Sequence, residues 1–240
     1  AGRSEGYIAV GSTSSYEGSG TDIWILSLAP WGEPLWAKTV GGPGEDFGLS
    51  ARRTPDGGFL VAGATRSFGA GSWDVWILKF SQEGVLEWQK TIGGPGDDVP
   101  NSIELAPEGG YAIGATTDSF GAGDKDYWMF QLDLSGVTLW EYTYGGAGHD
   151  FCERIMKTST GNFLLVGYTD SFPTPQGEPV QHNAWILKTS ASGIVEWEKI
   201  YNKTFEIDGG PIDAPDWAYN IVETSDGLYA VSGDTDWLDD

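Results

Sequence analysis

Four carboxylates, Glu206, Asp208, Asp213 and Asp216, are spaced irregularly among glycines and prolines in the segment 203–216. Oxygen donors on such a segment are the kind that wrap a hard cation, so calcium is the expected metal, although the spacing matches no EF-hand loop. The competing reading is compositional. A chain with 35 acidic and 13 basic residues carries acidic loops everywhere. Trp31, Trp73 and Trp217 lie outside the repeated tryptophan positions, where an aromatic face beside carboxylates would stack on a sugar ring. They are the candidate ligand-binding residues, with glycan as the expected ligand; the alternative is that each covers the edge of a neighbouring sheet.

No residue set reaches the threshold of a catalytic assignment. His149 and His182 have no third histidine to complete a zinc triad, and Cys152 stands alone, which excludes an intrachain disulfide and paired-cysteine metal sites. The Gly-Gly-Pro-Gly turns at 41–44 and 93–96 lack the lysine and helix of a phosphate loop. Two carboxylates of unequal pKa could hydrolyse a glycosidic bond, but among so many acids chance pairs abound. A formal charge of −22 repels nucleic acid and anionic membranes, and no apolar run is long enough to span a bilayer. Asn202-Lys203-Thr204 forms a glycosylation sequon, a weak three-residue match.

The elements that position these residues are written as a repeat. Trp24, Trp76, Trp128 and Trp185 form one column with spacings of 52, 52 and 57, and Trp36, Trp88, Trp140 and Trp197 form a second with the same spacings. An apolar strand recurs at 7–11, 59–63, 111–115, 163–167 and 229–233, each of the last four preceded by a glycine turn such as Asp56-Gly57 or Asp226-Gly227. Each unit reads as four strands, and the stretch from Asp74 to Phe80 is apolar on both pleat faces, as a sheet sandwiched between two others requires. Units of this length and strand count predict an all-β protein, a β-propeller of four-stranded blades with four complete repeats plus one extra strand. The repeats fall at 6–57, 58–109, 110–161 and 162–227, with a partial one at 228–240, in a single propeller domain or propeller fragment spanning 1–240. Asp46, Asp98 and Asp150 are expected to cap their own glycine turns, and Asp22, Asp74, Asp126 and Asn183 to organise the start of the tryptophan strand.

The block Asp-x-Trp-(Ile/Met)-(Leu/Phe), a glycine turn, a second tryptophan and then Gly-Gly-x-Gly-x-Asp resembles the tandem repeats of secreted bacterial and archaeal β-propeller proteins. More loosely, it is similar to the tryptophan-docking repeats of quinoprotein-like propellers. The resemblance spans residues 6 to 235. It implies a secreted or cell-surface module of structural, adhesive or assembly role, without a catalytic assignment, and no quinone-contacting pattern accompanies it. The alternative function is a polysaccharide-active enzyme using carboxylates of the fourth-repeat loops.

Two departures from the repeat stand out. Strand counting gives seventeen, which leaves Gly6 to Ser12 spare if each blade opens on the first tryptophan strand; the chain would then be a fragment, use that strand to replace or cover a closing strand in a small ring, or self-associate through it. The fourth unit is irregular, with five extra residues between Asp170 and Trp185 and the acidic segment 203–216 in place of the glycine turn.

Overall fold

The computed structural model describes residues 6–14, 20–172, 182–201, 203–207, 210–214 and 216–235, with the backbone alone for 203–207 and 210–214. Its described residues form strands joined by turns, with no helix. The turns fix the strand lengths. Gly57, Gly109, Gly161 and Gly227 recur at one hairpin, and Gly32, Gly84, Gly136 and Gly193 at the other, all at φ between +80° and +96°. A side chain is disfavoured at such φ, so glycine there sets the register of each ladder.

Hydrogen bonding groups the strands into antiparallel meanders. The first sheet holds β1 (Tyr7–Thr13), β2 (Asp22–Leu28) and β3 (Pro34–Val40). The second holds β4 (Asp46–Arg53), β5 (Phe59–Thr65), β6 (Asp74–Phe80) and β7 (Leu86–Ile92). The third holds β8 (Asp98–Leu105), β9 (Tyr111–Thr117), β10 (Asp126–Leu132) and β11 (Thr138–Tyr144). The fourth holds β12 (Asp150–Lys157), β13 (Phe163–Thr169), β14 (Asn183–Thr189) and β15 (Val195–Tyr201). A hairpin of β16 (Lys203–Ile207) and β17 (Gly210–Ala214) precedes the last sheet, β18 (Asp216–Glu223) with β19 (Tyr229–Thr235).

These are propeller blades, and their phase corrects one expectation. A complete sheet opens on Asp46, Asp98 or Asp150, not on the tryptophan strand. Gly6 to Ser12 is consequently not left over: β1 pairs with β2 from Tyr7↔Leu28 to Thr13↔Asp22. The hairpin β16–β17 was not foreseen, since the acidic segment reads as irregular by sequence.

The core lies between sheets. Strands β5, β6, β9 and β10 are buried along their whole length because each faces a sheet on both sides. Trp76 packs on Ile23, Ile25 and Trp36 of the preceding sheet, Trp128 on Val75, Ile77 and Trp88, and Trp185 on Tyr127, Met129 and Trp140. Every junction is also stitched by main chain: Asp46, Asp98, Asp150 and Asp216 donate their N–H to the carbonyls of Thr21, Trp73, Lys125 and His182.

The expected capping role of the aspartates is what the structure contains. Asp98 accepts the Gly94 N–H at 2.7 Å and the Ser119 hydroxyl at 2.7 Å, and Asp46 and Asp150 repeat the pattern with Gly42 and Gly146. Asp74 and Asp126 accept loop N–H groups of Ala70 and Ala122. The two aspartate columns meet across a glycine. A Cβ on Gly145 would lie 2.0 Å from Asp126 Oδ1 and 2.5 Å from Asp150 Oδ2, and one on Gly93 2.2 Å from Asp74 Oδ1 and 2.8 Å from Asp98 Oδ2. Burial beside Asp150 pushes the Asp126 carboxyl up to about 6. At the fourth junction the place of Asp126 is taken by Asn183, an amide with the shape of a protonated carboxyl.

Candidate functional site

Three sheet junctions receive the tryptophan of an Asp/Asn-x-Trp strand from the following sheet, and among the described residues the fourth has no such strand. Between β14–β15 and β18–β19 the residues that would meet it are Ala184, Ile186, Trp197 and Tyr201 on one side and Ala218, Ile221, Tyr229 and Val231 on the other. They line a groove of about 600 Å³, with Asp216, Trp217 and Asp234 also in its wall. Among the described residues β19 pairs only with β18, so its outer edge presents unpaired N–H and C=O groups beside the groove. The arrangement offers an apolar cleft for a large flat side chain and a ladder for the strand that carries it.

The complementary surface is at the other end of the chain. Trp24 in β2 is 38% exposed, whereas its equivalents Trp76, Trp128 and Trp185 are at most 2% exposed. The cause is position: each buried tryptophan is covered by the sheet before it, and among the described residues none precedes the first sheet. Tyr7 on β1 is exposed as well.

Only one of the three candidate tryptophans belongs to this groove. Trp217 lines it, and also sits 5.7 Å from the His182 ring and edge-on to Tyr168 at 6.5 Å. Tyr168 stacks on Phe151 at 4.7 Å, and His182 Nδ1 lies 2.6 Å from Asp170 Oδ1. Burial, with Glu153, Asp170 and Tyr219 near it, pushes the Tyr168 phenol up to about 12. Trp73 lies two junctions away, packed on Phe47 at 5.1 Å and covered by the Arg66 guanidinium at 4.3 Å. Trp31 is 72% exposed in the β2–β3 turn, at the opposite end of the sheets.

Of the candidate metal ligands, Glu206 falls in β16 and Asp213 in β17, with Glu206 opposite Pro211 and Asp213 opposite Thr204. Asp208 lies outside the described residues. Asp216 is buried at the start of β18 in the column of Asp46, Asp98 and Asp150, a position that caps a turn elsewhere in the repeat. Cys152 is fully buried, and burial pushes its thiol far up, so it carries no thiolate near neutral pH.

Sequence reasoning missed Trp24, Trp197, Tyr201 and Tyr229, because repeated residues read as scaffold. The signal within the chain was the irregular fourth unit, where the segment 203–216 replaces the glycine turn that precedes the other blades.

No protein-family model matches the sequence, and no curated protein is similar to it at a significant level. Solved structures similar to the chain include the Pan2 WD40 domain of Neurospora crassa, at 13% identity and a TM-score of 0.49, covering 76% of this chain and 49% of that one. A puromycin hydrolase is similar at 13% identity and a TM-score of 0.44, over 89% of this chain and 41% of that one. A protein of unknown function from Bacteroides caccae is similar at 13% identity and a TM-score of 0.37, over 75% and 78%. This chain thus spans about half the length of the Pan2 chain, and the blade assignment rests on the strand pairing described above.

Proposed function

We propose that this chain is a non-enzymatic propeller module that joins copies of itself head to tail by strand exchange, in an extracellular or cell-surface assembly. The observation that carries the reading is the match between two surfaces. Among the described residues the groove beside β19 holds no tryptophan strand, and β2 exposes Trp24, a tryptophan on a strand of that type. In the joint, β18–β19 of one copy and β2–β3 of the next complete a four-stranded sheet, with Trp24 seated against Ala184, Ile186 and Trp197. β19 takes over the ladder that β1 makes with β2, so seven residue pairs replace seven of the same kind. The displaced β1 gives up the packing of Ile8 and Val10 on the first core, and burial of Trp24 in the apolar groove offsets that loss. The resemblance to secreted repeat propellers and the acidic composition support the extracellular setting.

Sedimentation velocity of the 240-residue chain from about 1 to about 200 µM tests the proposal. The mass is expected to rise with concentration, and Trp24→Lys to remain a monomer throughout. Added salt strengthens association, because it screens the repulsion between copies of charge −22. A single 25.8 kDa species at every concentration and salt would overturn the assignment.

A further inference from the structure

The inner strands β4, β8, β12 and β18 stand side by side and line a cavity of about 310 Å³. Each is interrupted by a β-bulge at the same place: Gly48/Ser50, Pro100/Ser102, Cys152/Arg154 and Ala218/Asn220. The residues released from the ladder are Leu49, Asn101, Glu153 and Tyr219, and all four line the cavity. The aspartate opening each strand is unchanged through the repeats, while these four side chains are of four chemical types. A repeat that copies its scaffold and varies the positions facing one cavity marks that cavity for recognition.

Two charges in the wall, Glu153 and Arg154, are in no ion pair among the described residues. Arg52 and Glu104 pair with each other. The Arg154 side chain has no ion pair or hydrogen bond among the described residues, and its Nε is shielded from solvent. Asn101 Oδ1 is likewise shielded and without a donor. Burial pushes the Glu153 carboxyl above its ordinary range. In a chain with 35 acidic residues, a guanidinium left unpaired in a cavity is unusual, and withdrawing such charges from water without partners is costly.

We propose that the axial cavity binds a small zwitterion, an α-amino acid, with its carboxylate on Arg154 and its ammonium group on Glu153 and Asn101 Oδ1. The planar guanidinium matches a carboxylate with two parallel hydrogen bonds. An ammonium group supplies the donors that Glu153 and Asn101 need. A ligand of zero net charge also escapes the repulsion that a protein of charge −22 exerts on a free anion. Four different wall residues fix its orientation, which four identical ones would not. Leu49 and Tyr219, 45% and 43% exposed, leave the cavity open to entry.

Calorimetry and thermal unfolding of the 240-residue chain with L-alanine, acetate and ethylamine test this. L-Alanine is expected to bind saturably and raise the Tm, and acetate and ethylamine, each with half of the recognised groups, to bind at least about tenfold more weakly. Arg154→Met and Glu153→Gln each lose at least about tenfold in affinity, and Arg154→Lys, which keeps the charge without the fork, loses less than Arg154→Met. All three keep the sedimentation behaviour of the parent, which separates this site from the groove. The proposal is overturned if a panel of neutral amino acids gives neither heat nor a Tm change, if acetate binds as well as alanine, or if Arg154→Met binds as the parent does. Should Arg154→Met fail to fold, Glu153→Gln and Arg154→Lys carry the same test.

Discussion

Trp128 and Trp24 hold the same place in their repeats, yet one is 1% and the other 38% exposed. The same contrast separates the closed junctions, where a tryptophan fills the space between sheets, from the fourth, where a groove of about 600 Å³ remains. The difference teaches that a blade here does not own its core. Each sheet supplies half of two cores, so stability is a sum over neighbours.

The largest test of that contrast is truncation in a closed junction. Trp128→Ala should cost about 3–5 kcal/mol in denaturant unfolding, because a buried indole leaves a cavity that surrounding strands cannot collapse. Gly145→Ala should cost about 2–3 kcal/mol, since its Cβ would drive into the paired carboxylates of Asp126 and Asp150, and neither can move aside in the core. An unchanged midpoint for either variant would break the picture of rigid junctions.

A smaller effect depends on pH. The Asp126 carboxyl titrates higher in the fold, at about 6, than its ordinary 3.8. Its contribution is therefore fully present below 3.8 and is lost as pH rises through about 6. Asp126→Asn, which copies Asn183, should raise stability at pH 7 by about 1 kcal/mol and flatten the dependence between pH 4 and 7. Asp56 works in the opposite direction. Against the burial that would raise it, Lys79 and Thr54 hold its carboxyl at about 2, so its contribution is present above 3.8 and lost on acidification. Unfolding midpoints across pH 2–8 for the parent and Asp126→Asn check both signs.

The smallest effect should be at the open end. Trp24→Ala is expected to change the stability of the dilute monomer by less than about 1 kcal/mol while abolishing association. A loss as large as that of Trp128→Ala would mean that the two positions are equivalent after all.

The fold was legible because two tryptophan columns share one period, and the strand count of seventeen survives in the structure beside the two strands of the β16–β17 hairpin. The phase was not legible. Periodicity fixes the length of a unit, but which strand opens a sheet depends on hydrogen bonds that skip turns, such as those that place Asp46 at one edge. The candidate site was visible only through Trp217 and Asp216. Trp197 and Tyr229 looked like scaffold because the same residue types are buried elsewhere, and they form a surface because no further strand covers them among the described residues. Arg154 was readable as a departure from Ser50 and Ser102, but a bulge has no local sequence signature that would aim it at the axis.

The main-chain bonds that stitch each junction, from Asp46 to Thr21, Asp98 to Trp73, Asp150 to Lys125 and Asp216 to His182, bear on how the molecule carries load. Each lies at a boundary between sheets, so tension between the two ends reaches every boundary in series. The weakest yields first and releases one unit of 52 residues, about 18 nm of extended chain. Each sheet that flanked it loses one neighbour, and the others keep theirs. A tether built this way would lengthen in steps under force and dissipate work at each, instead of parting in a single event.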